Sequence, residues 1–263
     1  MSGSVRLGIV GGAGWLGGAI AGAALEAGAV RAENLTLSYR SAKPERFPGA
    51  FWTDENQILA DRSDVILLSV RPQDWPSLDI DATGKLVISV MAGIRLADLA
   101  EKHNTSRVAR SLPNAAAEVA KSYTPWIATD DTTEADRATI RAVFNACGVQ
   151  DEVGSERDID YLTGLTGSGP AFPALLADAM MRDAVRFGLS PDVARRAVNT
   201  VLAGTGRLLE LRDASPADTV EAFLDYRGTT AAAIETMREA GFAEAVAKGL
   251  AAAFRKSIEM GKA

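Results

Sequence analysis

Leu7-Gly8-Ile9-Val10-Gly11-Gly12-Ala13-Gly14-Trp15-Leu16-Gly17-Gly18-Ala19-Ile20 is the stretch on which the reading of the fold turns. It begins as an apolar, strand-like run and ends inside an alanine-rich helical one, with glycines crowded between. Gly12 to Gly17 spell G-x-G-x-x-G. Alone, that spacing is weak evidence. A strand before it, a helix after it and a second strand about 20 residues on make it specific for a dinucleotide turn. Glycine lets the turn bring amide N–H groups against a pyrophosphate at the positive end of the helix, and the third glycine permits close helix–sheet contact. Gly12, Ala13, Gly14, Trp15 and Leu16 are the expected contacts.

Outward from this turn the first half keeps alternating strand and helix. Strands are expected at residues 6–10, 35–39, 65–70, 86–91, 107–110, 125–129 and 149–153, several as near-continuous apolar runs typical of strands buried on both faces. Helices are expected between them at 16–27, 96–102 and 134–147, the first and last followed by Gly28 and Gly148 as terminating glycines. That alternation predicts an α/β domain, a Rossmann-type doubly wound parallel sheet, over residues 1–154. After Gly154 the strands stop. Ser190-Pro191 and Ser215-Pro216 each read as an N-cap serine with proline at the first helical position. Helices at 171–187, 191–211, 216–223, 231–240 and 243–259 make residues 155–263 an all-helical C-terminal domain. Their Ala/Leu/Val stripes need more cover than one small bundle offers, so packing against another subunit is expected.

Composition narrows the chemistry. The 263 residues are 47% hydrophobic and 24% charged with a net charge of −6, ordinary globular usage with no global attraction for nucleic acid or anionic membrane. No apolar run is long enough for a membrane span, and no basic leader is read ahead of the first strand. One cysteine, Cys147, excludes an intrachain disulfide, so a cytoplasmic location is expected. The one histidine, His103, sits in Glu101-Lys102-His103-Asn104, where a solvated helix end is the expected role. Metal, triad and thiol chemistry are not expected.

The second strand ends in Ser38-Tyr39-Arg40-Ser41, without the acid that an NAD enzyme usually aims at the adenosine ribose. Serine hydroxyls and a guanidinium suit a 2′-phosphate, so Ser38 and Arg40 favour NADP over NAD; the alternative is that Arg40 is a plain surface residue. Ligands of open α/β sheets lie beyond the carboxyl ends of the strands. Val70, Arg71 and Pro72 after the third strand, and Ala92 and Gly93 after the fourth, should therefore border the nicotinamide half, with Leu112-Pro113-Asn114 nearby.

Taken together, the chain resembles the pyrroline-5-carboxylate reductases. The resemblance rests on Gly12-Ala13-Gly14, on Asn56 ahead of Asp64, and on the run from Asp64 through Ser69-Val70-Arg71-Pro72-Gln73. It continues in Ser89-Val90-Met91-Ala92-Gly93-Ile94, Pro113-Asn114, Glu156, Asp160, Leu165-Thr166-Gly167-Ser168-Gly169-Pro170-Ala171 and Gly228-Thr229-Thr230. It implies NAD(P)H-dependent reduction of a cyclic imine, 1-pyrroline-5-carboxylate to L-proline, by a homodimer or larger assembly with interleaved C-terminal helices. It adds Asn56 to the cofactor residues. It makes Gly228, Thr229 and Thr230 substrate-binding, with the Thr230 hydroxyl nearest the imine nitrogen as the catalytic group; capping of the following helix is the plainer role for both threonines. Ser168 reads either as part of the same cleft or as a helix cap, and Glu156 and Asp160 as fixing the domain junction.

Departures gather where substrate is expected. The family's Ser-Pro-Gly-Gly-Thr-Thr loop reads Asp225-Tyr226-Arg227-Gly228-Thr229-Thr230 here. An aspartate there repels a substrate carboxylate by about 1 kcal/mol at 4 Å in water. Arg227 could compensate by pairing with Asp225 or by taking the carboxylate, so both count among the substrate contacts. Arg71 replaces the usual lysine, and one extra residue enters the Gly11-Gly12 turn. Two alternatives stay open: a related reductase acting on a different imine, and a non-catalytic NADP-binding redox sensor. A hydroxyacid dehydrogenase using a lysine of its helical domain does not fit, since no lysine lies between Lys121 and Lys248.

Overall fold

The computed structural model describes residues 5–211 and 214–261. Two compact units divide the chain: the described residues of Met1–Ser168 together with Ala252–Ala263, and Gly169–Ala251. The first unit is thus discontinuous in sequence and extends past residue 154.

The first unit holds β1 (Leu7–Val10), α1 (Trp15–Glu26), β2 (Leu35–Ser38), β3 (Phe51–Thr53), α2 (Asn56–Asp61), β4 (Val65–Leu68) and β5 (Leu86–Ser89). It continues with α3 (Leu96–Lys102), β6 (Val108–Ser111), β7 (Ser122–Ala128), α4 (Glu134–Cys147), β8 (Gly148–Glu152) and α5 (Glu156–Leu162). Eight strands form one sheet in the order β3-β2-β1-β4-β5-β6-β7-β8. The first six follow the 3-2-1-4-5-6 order of a dinucleotide-binding sheet, and all their pairings are parallel. β7 runs antiparallel to β6 and parallel to β8.

Side-chain alternation explains why the central strands read as unbroken apolar runs. Leu7, Ile9, Leu37, Leu67 and Ile88 pack on one face with Ile20 and Ala24 of α1 and Phe144 of α4. Val10, Ile66, Leu68, Val87 and Val108 pack on the other with Leu59 of α2 and Leu99 of α3. Full burial of such a side chain is worth about 1.5–3 kcal/mol, so both faces drive the fold. Three of these elements, β3, α2 and α5, had no expectation in the sequence. The strand is three residues long, too short to display a period.

In the second unit lie α6 (Ala171–Phe187), α7 (Pro191–Leu211), α8 (Pro216–Asp225) and α9 (Thr229–Glu239), and α10 (Phe242–Met260) runs from it into the first. Ser190 and Ser215 cap as expected: the Ser190 hydroxyl accepts from the Val193 amide, and Ser215 and Asp218 form a reciprocal capping box. Among the unit's described residues only Ala194, Val198 and Ala231 are buried hydrophobics, whereas Leu175 is 70% and Phe187 84% exposed. Helices that leave such faces in water are built for cover by another surface.

His103 departs from the sequence reading. It is 1% exposed rather than solvated. Trp75 Nε1 donates to its Nε2 at 3.0 Å, which places the proton on Nδ1, donating to the Ile80 carbonyl at 3.2 Å. Sequence had marked it as polar surface because its neighbours Glu101, Lys102 and Asn104 are polar. Burial holds its pKa below the ordinary 6.5. The folded state therefore binds less proton than the unfolded chain below about pH 6.5, and stability falls as pH drops through that value. We expect the wild-type melting temperature to decline between pH 7 and 5.5 more steeply than that of His103→Gln; parallel curves would rule this coupling out.

Candidate active site

The strand order reverses between β1 and β4, and the glycine turn lies at that point. Gly11, not Gly12, takes the left-handed conformation, with φ of +79°. A Cβ on Gly11 would fall inside contact distance of the Ser69 carbonyl oxygen, and one on Gly12 would stand 2.6 Å from Leu37 Cδ2. A Cβ on Gly17 would stand 2.6 Å from the Gly11 carbonyl oxygen. Gly11 thus takes the turn's left-handed position, and Gly17 gives α1 its close approach.

Within the turn the amides of Gly12, Ala13 and Gly14 are spent on Ile9, Ser38 and Gly11 carbonyls. Gly14 opens α1 without a side-chain cap. The amides of Trp15, Leu16 and Gly17 therefore have no acceptor among the described residues, which is the arrangement that draws an anion to a helix N-terminus. The Trp15 indole turns away to donate to Glu118, so what Trp15 offers the turn is its backbone.

Ser38 is buried, and its hydroxyl accepts from the Gly11 amide at 3.0 Å while its carbonyl holds Ala13. The expectation that this hydroxyl faces a 2′-phosphate gives way to a role in shaping the turn. Arg40 is exposed, and its Nη1 lies 3.6 Å from Asp74 Oδ2. Arg71 binds the same carboxylate through Nε at 2.9 Å and Nη2 at 3.2 Å. Those contacts hold the Asp74 carboxyl below the usual carboxylate range, the Arg71 hydrogen bond being the largest cause. Asn56 opens α2 at the carboxyl end of β3. Arg46, which the sequence did not single out, donates to the Ala13 carbonyl at 3.2 Å and joins the segment after β2 to the glycine turn.

At the carboxyl end of β5, Val70 and Pro72 have their counterparts in Ala92 and Gly93. Gly93 has φ of +83°, and a Cβ there would stand 2.9 Å from the Met260 carbonyl carbon. Packing against the backbone at 260–261 is thus one reason for this glycine. Just behind, Arg110 of β6 is 1% exposed and donates to Glu156 at 3.1 Å and Asp160 at 2.6 Å. Arg95 lies 3.8 Å from Glu156 and 3.4 Å from Asp160, and the Ser257 hydroxyl bonds Asp160 at 3.1 Å. Two arginines and two acids balance in charge. Removing one partner of such a set leaves a buried charge uncompensated, at a cost of about 3–5 kcal/mol. Glu156 and Asp160 are thereby structural, within the first unit. Asn114 caps the short helical turn after it and donates to the Thr166 carbonyl at 3.0 Å. Ser168 is not the N-cap of α6, where Pro170 stands; it closes the preceding helical turn, its amide and hydroxyl both returning to the Thr163 carbonyl.

In the second unit, α8 ends at Asp225, and Arg227 takes the left-handed conformation, φ +47°. A non-glycine residue holds this backbone at a cost of about 1–2 kcal/mol. Asp225 and Arg227 are both exposed, and no ion pair between them occurs among the described residues. Gly228 is the α9 N-cap and has no capping side chain. Thr229 and Thr230 are therefore not caps, and the first amides of α9 are without acceptors among the described residues.

A family model described as pyrroline-5-carboxylate reductase dimerisation matches residues 156–260, and one described as NADP oxidoreductase, coenzyme F420-dependent, matches residues 6–93. A pyrroline-5-carboxylate reductase of Thermus thermophilus is 31% identical over 98% of this chain and 99% of its own length. One from Synechocystis is 34% identical over 79% of each. The chain belongs to the pyrroline-5-carboxylate reductase family. The crystal structure of the Plasmodium falciparum pyrroline carboxylate reductase with NADP bound has the same fold, with a TM-score of 0.84, 24% identity and 98% of both chains covered.

No group of three or more His, Cys, Asp or Glu side chains among the described residues could hold a metal, and no helix is long and apolar enough to cross a membrane. Burial pushes the Cys147 thiol up to about 11, so it is not a nucleophile at neutral pH. The glycine turn, by contrast, fits a dinucleotide: its close approaches forbid Cβ atoms, and its helix amides await an anion. Gly17→Ala should therefore weaken NADPH binding roughly tenfold or more while destabilising the fold by only about 1–3 kcal/mol. Unchanged affinity in a fluorescence titration would remove the turn from the site.

Proposed function

We propose that this protein reduces 1-pyrroline-5-carboxylate to L-proline with a nicotinamide dinucleotide, NADPH in preference to NADH, as a cytoplasmic homodimer or larger homo-oligomer. The observation that carries the reading is the glycine turn at the β1/β4 reversal, with its three acceptorless helix amides, in a chain of this family. Residues 1–154 serve the cofactor and 155–263 serve substrate and self-association. The exposed apolar faces of α6 and α7 support the latter.

When bound, the nicotinamide supplies the hydride for the imine carbon. Gly12, Ala13 and Gly14 let the pyrophosphate approach the turn closely, the free amides of Trp15, Leu16 and Gly17 bind it, and Arg40 faces the 2′-phosphate. Asn56 and Arg71, which shares the Asp74 carboxylate with Arg40, serve the adenosine ribose side, while Val70, Pro72, Ala92 and Gly93 border the nicotinamide half. Gly228, Thr229 and Thr230 hold the substrate carboxylate at the α9 N-terminus, where the helix dipole favours an anion. The Thr230 hydroxyl bonds the imine nitrogen. A protonated imine is electrophilic enough that placement, not a strong base, is what the protein must supply.

Asp225 favours a second substrate class, an imine without a carboxylate at that point. Arg227, free of Asp225, favours the carboxylated one by supplying the opposite charge. Asp225→Ser separates them: KM for pyrroline-5-carboxylate should fall about fivefold, the Coulomb effect of one charge at 4 Å in water. An unchanged or higher KM would take Asp225 out of the carboxylate's surroundings. The purified protein should oxidise NADPH in the presence of pyrroline-5-carboxylate, and Thr230→Val should lower kcat on the order of a hundredfold. Tight NADPH binding without turnover of any cyclic imine in a panel would favour the sensor instead.

A further inference from the structure

The end of β2 lacks the acid by which NAD enzymes bind the adenosine ribose, yet the fold brings one there from elsewhere. Asp74 lies in the short helical turn Pro72–Ser77 that follows β4. β2 and β4 flank β1, so the 3.6 Å pair between Arg40 and Asp74 spans the crevice where the strand order reverses. Both oxygens of the carboxylate are held by Arg71, through Nε and Nη2. Only a guanidinium offers that parallel two-point grip; the lysine usual at this position in the family would hold Asp74 as a point charge. The Arg71 replacement thus fixes Asp74 in one orientation while leaving it about one-third exposed. A carboxylate oxygen has lone pairs beyond those the two arginines use.

We propose that Asp74 is the acid with which this chain accepts the adenosine ribose 2′-hydroxyl of NADH, and that it sets the discrimination between the two cofactors. The proposal rests on the reading of Arg40 as the 2′-phosphate partner. Arg40, Arg71 and Asp74 together carry one net positive charge. A 2′-phosphate approaching Arg40 meets a fixed like charge beside its partner; a 2′-hydroxyl meets an acceptor. The two effects act in opposite directions on the two cofactors, so they appear in the ratio of affinities. A purely structural Asp74, serving only to steady Arg71, would change both affinities alike.

The test measures equilibrium dissociation constants for NADPH and NADH by calorimetry, without substrate, on the full-length wild-type protein, Asp74→Asn and Arg40→Met. Asparagine keeps the shape of Asp74, and a melting curve checks folding. Asp74→Asn should tighten NADPH, weaken NADH and raise the NADH-to-NADPH Kd ratio about fivefold or more, the Coulomb effect of one charge at about 4 Å in water. Arg40→Met should weaken NADPH alone. If Arg40→Met behaves so and Asp74→Asn leaves the ratio unchanged or lowers it, the role of Asp74 is overturned and the reading of Arg40 stands. If Arg40→Met weakens both cofactors equally, that reading fails and the proposal with it.

Discussion

Backbone meets backbone at Gly11, and the first unit is arranged around that contact. Its left-handed turn lies against the Ser69 carbonyl on one side and receives Gly17 of α1 on the other. No side chain can enter, so β1, β4 and the start of α1 converge more closely than any packed core would allow. Everything that defines the rim follows from this convergence. The amides of α1 emerge at the strand reversal, Ser38 is drawn in to hold the turn, and Arg46 reaches across to the Ala13 carbonyl. The apolar strands beneath supply the stabilisation; the glycines decide what the upper edge is able to touch.

A second constraint lies on β6, two strands beyond β4. Arg110 inside the sheet layer obliges the fold to deliver two carboxylates to it, and both come from α5. Arg95 and the Ser257 hydroxyl complete the set, so α3, β6, α5 and the far end of α10 share one charge-balanced knot. Arg110 Nε is the one buried side-chain polar atom without a partner among the described residues. A hydrophobic cluster in its place would tolerate sliding of these elements. Fixed donors and acceptors do not, and the turn carrying Gly93 is held in register with the rest of the rim.

The sequence was most legible where one residue type admits one physical explanation. The glycine turn, the two-face apolar strands and the serine-capped helices α7 and α8 could be placed to within a residue or two. What escaped was set by distant contacts. Phe51-Trp52-Thr53 forms a strand because β2 offers it an edge, not because three residues show a period. His103 looked solvated from its neighbours and is buried by Trp75 and Ile80, which are far from it in sequence. Ser38 looked like a ligand contact by its position, yet a hydroxyl at a strand end can turn inward as easily as outward. Asp74 gave no signal at all, since its meaning depends on two arginines, one of them 34 residues earlier. The helical unit was legible in its elements, while the residues of its Asp225–Thr230 loop take their meaning from chemistry that secondary structure does not encode.

The packing of residues 260–261 on Gly93 bears on the order in which the molecule can be assembled. Synthesis runs from the N-terminus, and early domains commonly fold while later ones are still being made. Here the earlier-made unit borrows its closing piece from beyond the helical segment. Until that piece arrives, Asp160 lacks the Ser257 hydroxyl and the turn at Gly93 stands uncovered on that side. The sheet can form on the ribosome, but its cofactor edge reaches its final contacts only after the whole helical segment has been translated, so maturation of the rim is a late event in the life of the nascent chain.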